Sequence, residues 1–87
     1  MYFVYVLQSQ STGHFYTGFT SNLEQRVLQH NRGVTKSTKH RVPWRLVHHE
    51  PFVSRSEAIR REKFLKSGRG REELSAMVID SVIDSAG

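Results

Sequence analysis

The chain has 87 residues, 13 Lys and Arg against 8 Asp and Glu, and no cysteine, which excludes disulfide bridging and thiolate zinc sites. Its length suits one domain over residues 1–87, because single cores commonly take up roughly 100 to 150 residues. No apolar run approaches the roughly 18 residues that cross a bilayer and no charged-then-apolar leader opens the chain, so a soluble, cytoplasmic protein is expected.

Residues 2–7 are apolar or aromatic throughout and rich in β-formers, which predicts a strand buried on both faces. Residues 14–19 predict a second strand, with Ser9 to Gly13 as the turn. Ser21-x-x-Glu24 reads as a capping box, opening a helix whose Leu23, Val27 and His30 share one face until Asn31 and Gly33 stop it. Residues 34–43 are polar and basic, end in Pro43, and are expected to form a loop. Trp44 to Phe52 alternates as a third strand. Ser54-x-x-Glu57 is a second capping box, for a helix running to about Ser67, and Gly68-Arg69-Gly70 is expected to break it. A last helix follows over about residues 71–84, with Leu74, Met77, Val78 and Ser81 at helical spacing. The order β-β-α-β-α-α predicts a small α/β (α+β) domain, a three-stranded antiparallel sheet flanked by helices.

The net charge of +5 is distributed over three unlike segments. Residues 1–21 carry no Asp, Glu, Lys or Arg. Residues 22–71 hold all 13 Lys and Arg against only Glu24, Glu50, Glu57 and Glu62, and residues 72–87 hold four acids and no base. A basic middle favours a polyanionic partner, since each Lys or Arg that meets a phosphate releases a bound counterion. The plainer alternative is a solvated basic face.

The hairpin has a consequence for chemistry. If Leu7 faces His14, Tyr5 lies directly opposite Tyr16, and alternation puts Gly18 on the same face with bare backbone beside them. Two phenols then share one patch of sheet, although an aromatic cross-strand pair could equally be mere packing. On the helix after the third strand, with Ala58 as origin, Glu62 falls at about 40° and Leu65 at about −20°, inside the apolar arc. An inward carboxylate needs an ion pair, hydrogen bonds or a metal; an internal Glu–Arg pair and a hard oxygen ligand for Mg²⁺ both fit. On the first helix, Arg26 and His30 are i,i+4 neighbours bordering the inward face. The set is chemically coherent: Arg to hold a phosphate, His or Tyr to move a proton, Glu to hold a divalent metal.

Together these residues resemble the GIY-YIG nuclease domain, in the small stand-alone bacterial form related to the N-terminal domain of the nucleotide-excision nuclease. The first signature stands as Phe3-Val4-Tyr5 and the second as Tyr16-Thr17-Gly18. Asn22-Leu23-x-x-Arg26-Val27-x-x-His30-Asn31 follows, then Glu57-Ala58-x-x-x-Glu62-x-x-x-Lys66 and Lys66-Ser67-Gly68-Arg69-Gly70-Arg71-Glu72. The match spans about residues 2–75. It implies hydrolysis of DNA phosphodiesters, in repair or recombination, with one Mg²⁺ or Mn²⁺. It implies Tyr5 and Tyr16 as active-site tyrosines, one of them deprotonating or positioning the attacking water. Arg26 would bind the scissile phosphate, His30 would assist proton transfer or hold a tyrosine, and Glu62 would carry the metal. Two departures stand out: Phe3 replaces the first glycine of the name-giving triplet, and Phe19 stands where excision nucleases often carry a lysine.

Lys36, Lys39, His40, Arg41 and Arg45 are expected to track the phosphate backbone, with a solvated loop as the alternative, and Gly18, Lys66, Arg69 and Arg71 complete the candidate DNA contacts. The segment from Gly13 to Thr20 mimics a phosphate-binding loop, but its lysine position is Phe19 and it reads as a strand. His48 and His49 are adjacent on a strand and point to opposite faces, so they do not pair on a metal. The rival function is a DNA-binding module of the same fold without turnover. Val78, Ile79, Val82 and Ile83 suit either a dimer contact or packing at home.

Overall fold

The computed structural model describes the backbone of residues 1–86 and the side chains of residues 1–77. Three strands, β1 (Tyr2–Ser9), β2 (Phe15–Thr20) and β3 (Trp44–Phe52), form an antiparallel sheet in the order β2-β1-β3. Helix α1 (Leu23–Asn31) follows β2, and α2 (Arg55–Lys66) and α3 (Gly68–Ala86) follow β3, giving the expected β-β-α-β-α-α order. The fold is therefore the small mixed α/β architecture that the sequence predicts.

The central strand is buried on both faces, as its unbroken apolar run requires. Val4 and Val6 pack with Ala58, Leu65 and Leu74 beneath α2 and α3. Tyr5 and Leu7 point the other way, to Trp44, Leu23 and Val27 beneath α1. Burying an aliphatic side chain of this size contributes roughly 1.5–3 kcal/mol, so the two small cores carry most of the stability.

Four local expectations are corrected. The hairpin register pairs Tyr5 with Gly18 and Leu7 with Tyr16, two residues away from the predicted pairing. The reason is a tighter connection: Ser9 N–H to His14 C=O at 2.8 Å extends the pairing into the link, and Gly13 N–H to Ser9 C=O at 2.9 Å closes the turn. The N-cap of α1 is Asn22, whose side chain accepts from Gln25 N, in place of the Ser21 capping box. The 34–43 loop contains a 3-10 turn at Lys39–Arg41 and a fully buried Thr38.

Finally, α2 ends at Ser67 as expected, but Gly68-Arg69-Gly70 opens α3 where a connecting break was expected. Ser67 ends α2 and accepts from Gly70 N at 3.2 Å, so a side-chain cap replaces a loop. A Cβ at Gly70 would collide with the Phe64 carbonyl and the Leu65 backbone, and only glycine lets α3 start this close to the end of α2. By contrast, the Ser54 cap of α2 is as expected, accepting from Glu57 N at 3.2 Å. Leu74 and Met77 pack into the core from α3, whereas the expectations for Val78, Ile79, Ser81, Val82 and Ile83 lie outside the described side chains.

Candidate active site

The Tyr5 hydroxyl and His30 Nε2 lie 2.8 Å apart, and His30 Nδ1 lies 2.8 Å from Thr38 Oγ1. All three side chains are essentially inaccessible. α1 delivers His30 from its last turn, on the face that Leu23 and Val27 also bury. Burial pushes the Tyr5 phenol up to about 12, with the Tyr16 and Glu62 charges adding to the rise and the Arg26 guanidinium opposing it. Burial also brings His30 down to about 4, helped by the positive charge of Arg26. Across the neutral range the pair is a protonated phenol against a neutral imidazole.

Tyr16 stands beside this pair. Its ring centroid is 4.9 Å from that of His30 and 6.3 Å from those of Tyr5 and Trp44. The two tyrosines share a face although they are diagonal instead of opposed, because a two-residue shift of register preserves the face. Gly18 is the residue opposite Tyr5, and a Cβ there would sit 2.7 Å from the Tyr5 hydroxyl and 3.1 Å from the Tyr16 ring. Bare backbone at position 18 is what lets the phenol lie across β2. Arg26, half-buried on α1, donates from Nη1 to Gln29 Oε1 at 3.1 Å.

Glu62 arrives from the opposite face of the sheet, on α2 between the buried Ala58 and Leu65. Its side chain keeps 16 % exposure and pairs with Lys66 Nζ at 3.5 Å. Its charge reaches the Tyr5 phenol, and no hydrogen bond joins it to the rings among the described residues. An internal Glu–Arg pair, the alternative weighed for this carboxylate, forms elsewhere, between Arg61 and Glu50. Lys66 in turn lines a cleft of about 550 Å³ along the β2 margin, together with Tyr16, Thr17, Arg41 and Arg71. Three of the candidate phosphate contacts, Arg41, Lys66 and Arg71, thus converge beside Tyr16. Lys36, Lys39, Arg45 and Arg69 are exposed and stand outside the lining of that cleft.

The family model of the GIY-YIG catalytic domain matches residues 1–74. The chain belongs to the GIY-YIG family. Among similar proteins, a UPF0213 protein of Halobacterium salinarum is 46% identical over 67 residues, covering 76% of this chain and 86% of that one. A UPF0213 protein of Staphylococcus haemolyticus is 40% identical over 74 residues, covering 84% and 89%. The solution NMR structure of a UPF0213 protein from Bacillus halodurans aligns with a TM-score of 0.55 and 37% identity, over 88% of this chain and 85% of that one.

Within this GIY-YIG chain the second departure has a local answer. The Arg55 guanidinium, from the first turn of α2, lies over the Phe19 ring at 5.4 Å. A positive charge therefore stands at this point of the GIY-YIG sheet, delivered by another element. Sequence reading missed the residues that hold the imidazole. Trp44 Nε1 donates to the Thr38 carbonyl at 2.9 Å, and the Asn31 side-chain amide clamps the Trp44 backbone, its Oδ1 accepting from Trp44 N–H at 2.6 Å and its Nδ2 donating to the Trp44 carbonyl at 3.0 Å. The one available signal was chemical: a histidine on a buried helical face needs a partner at each ring nitrogen.

Proposed function

We propose that the chain is a divalent-metal-dependent endonuclease that hydrolyses DNA phosphodiesters, acting in repair or recombination in the cytoplasm. The observation that carries this reading is the convergence of Tyr5, Tyr16 and His30 beside Arg26, with Tyr16 opening onto a cleft lined by Arg41, Lys66 and Arg71. In this arrangement Arg26 exchanges its Gln29 partner for a non-bridging oxygen of the scissile phosphate. Tyr16, half-buried and on the cleft side, positions the attacking water. Burial holds the Tyr5 proton up to about 12, so Tyr5 enters the reaction as a neutral phenol. It can act as a carrier within the buried row: the water's proton is taken up by the Tyr16 oxygen, the Tyr16 proton passes to the Tyr5 oxygen, and the Tyr5 proton passes to the neutral His30 ring, 2.8 Å away.

The donors present fit Mg²⁺ or Mn²⁺. These ions take one or two carboxylates and fill their remaining positions with water and substrate phosphate. Glu62, partly exposed one helical turn from Lys66, offers one such carboxylate, and no cluster of three His, Cys, Asp or Glu side chains exists among the described residues. A bound divalent ion would supply charge stabilisation to the phosphate oxygens.

The experiment compares nicking of plasmid and branched DNA by the wild type and Glu62→Gln with Mg²⁺, with Mn²⁺ and with EDTA. Nicking by the wild type with metal, its loss in EDTA and in Glu62→Gln, and unchanged DNA binding are expected. Absent nicking with intact binding would favour the DNA-binding module, which the basic cleft also suits, and nicking that survives EDTA would overturn the metal dependence.

A further inference from the structure

We propose that Thr38 is a positioning residue of the active site, whose hydroxyl fixes His30 as the tautomer that accepts the Tyr5 proton. Three protons must be placed in a row of side chains with essentially no exposure. The Thr38 hydroxyl donates to the Thr35 carbonyl at 3.4 Å, so its oxygen is left to accept the proton on His30 Nδ1 at 2.8 Å. His30 Nε2 is then bare and accepts the Tyr5 O–H, also at 2.8 Å. The opposite placement sends the Thr38 hydrogen to Nδ1 and the Nε2 hydrogen to the Tyr5 oxygen. The Tyr5 O–H then has no acceptor among the described residues, a costly state for a buried donor.

Thr38 itself is held from three sides. Its N–H donates to the Thr35 carbonyl at 3.1 Å, its carbonyl accepts from Trp44 Nε1 at 2.9 Å, and the Arg41 N–H closes the 3-10 turn on the same carbonyl at 3.1 Å. The loop carrying Lys36, Lys39 and Arg41 is thereby tied, through one hydroxyl, to the proton acceptor of the site. The consequence for cleavage rests on the nuclease reading; the assignment of the ring protons does not.

The test is long-range ¹H–¹⁵N NMR of the His30 ring in the labelled full chain, alongside plasmid nicking with Mg²⁺, for the wild type, Thr38→Val and Thr38→Ser. The wild type and Thr38→Ser are expected to carry the ring proton on Nδ1, and Thr38→Val to lose that preference. Nicking is expected to fall roughly ten- to a hundredfold in Thr38→Val with DNA binding unchanged, and to stay within about twofold in Thr38→Ser. A wild-type proton on Nε2, or a Thr38→Val protein with the wild-type tautomer and wild-type nicking, would overturn the assignment. If Thr38→Val does not fold, the wild-type spectrum and the Thr38→Ser rescue still decide it. A protein that nicks nothing while showing the Nδ1 tautomer counts against the nuclease reading and leaves Thr38 in place.

Discussion

A histidine held neutral in a buried site makes folding sensitive to acid. His30 has a folded value of about 4 against 6.5 in the open chain, so between these limits the unfolded state binds a proton that the folded state refuses. Stability is expected to fall as pH drops from about 6.5 to about 4, and His30→Gln should flatten this part of the profile, as measured by urea unfolding at pH 7 and 5. Tyr5 works at the other end: with its folded value raised to about 12, stability is present below the ordinary value of 10.0 and is lost as pH climbs from there towards about 12. At Gly18, an added methyl must displace the Tyr5 ring, since it would stand 2.9 Å from Cζ. Gly18→Ala is therefore expected to break the Tyr5–His30 hydrogen bond, visible as an upward shift of His30 titration by NMR, and to lower stability by roughly 1–3 kcal/mol. Much of this residue-scale picture was legible in advance. Alternation with a hairpin register of the right parity puts Tyr5, Tyr16 and Gly18 on one face, and helical spacing turns His30 inward. Thr38 was not legible, because a threonine in a polar loop carries no periodic signal and its role depends on where a distant helix ends.

The elements owe their boundaries to single side chains. Replacing the Ser54 cap by alanine is expected to cost about 1 kcal/mol, since the Glu57 N–H loses its acceptor. The two glycines at the α2–α3 junction should behave in opposite ways. Gly70→Ala meets the Phe64 carbonyl and is expected to destabilise by about 1–3 kcal/mol or more, whereas Gly68 faces open space and should accept alanine without loss. Thermal unfolding of both variants checks the contrast. Sequence reading placed the three strands and the three α-helices, and it erred where a turn or a cap decided the detail. Gly-Arg-Gly spells a break by composition, yet Ser67 and the absent Cβ of Gly70 turn it into a helix start. Likewise, the length of the β1–β2 turn, which sets register, depends on hydrogen bonds that hydrophobic pattern does not record.

At the scale of the molecule, Arg61 joins three elements. It donates two hydrogen bonds to Glu50 of β3, at 2.8 and 3.0 Å, and one to Glu73 of α3 at 2.8 Å, while His48 adds a contact of 2.6 Å to Glu50. Burial alone would raise the Glu50 carboxyl, but the hydrogen bonds and charge of Arg61 and His48 prevail and hold it below its ordinary range. Its contribution is therefore present above about pH 4.5 and is lost as pH falls further. Arg61→Met leaves Glu50 half-buried without its main partner and is expected to cost about 2 kcal/mol, read by denaturant unfolding at neutral pH. The cleft is also a whole-molecule feature, because β2, the 3-10 turn, α2 and α3 each contribute to it. If its cations meet phosphates, Lys66→Ala or Arg71→Ala should each weaken DNA binding and reduce the log–log salt slope by about one, while Arg60→Ala should leave the slope unchanged.

The sheet order leaves β2 with a neighbour on one side only. Such a margin offers free backbone groups to any extended segment that drifts past, the usual starting point for fibrous self-association. On the nuclease reading the same margin has to stay uncovered, since Tyr16 lines the cleft beside it. If Arg41, Lys66 and Arg71 meet a polyanion as proposed, the same three charges would also repel a second copy of the chain. Neutralising all three together would remove the guard along with the grip, leaving a protein more prone to clump even if its fold were untouched.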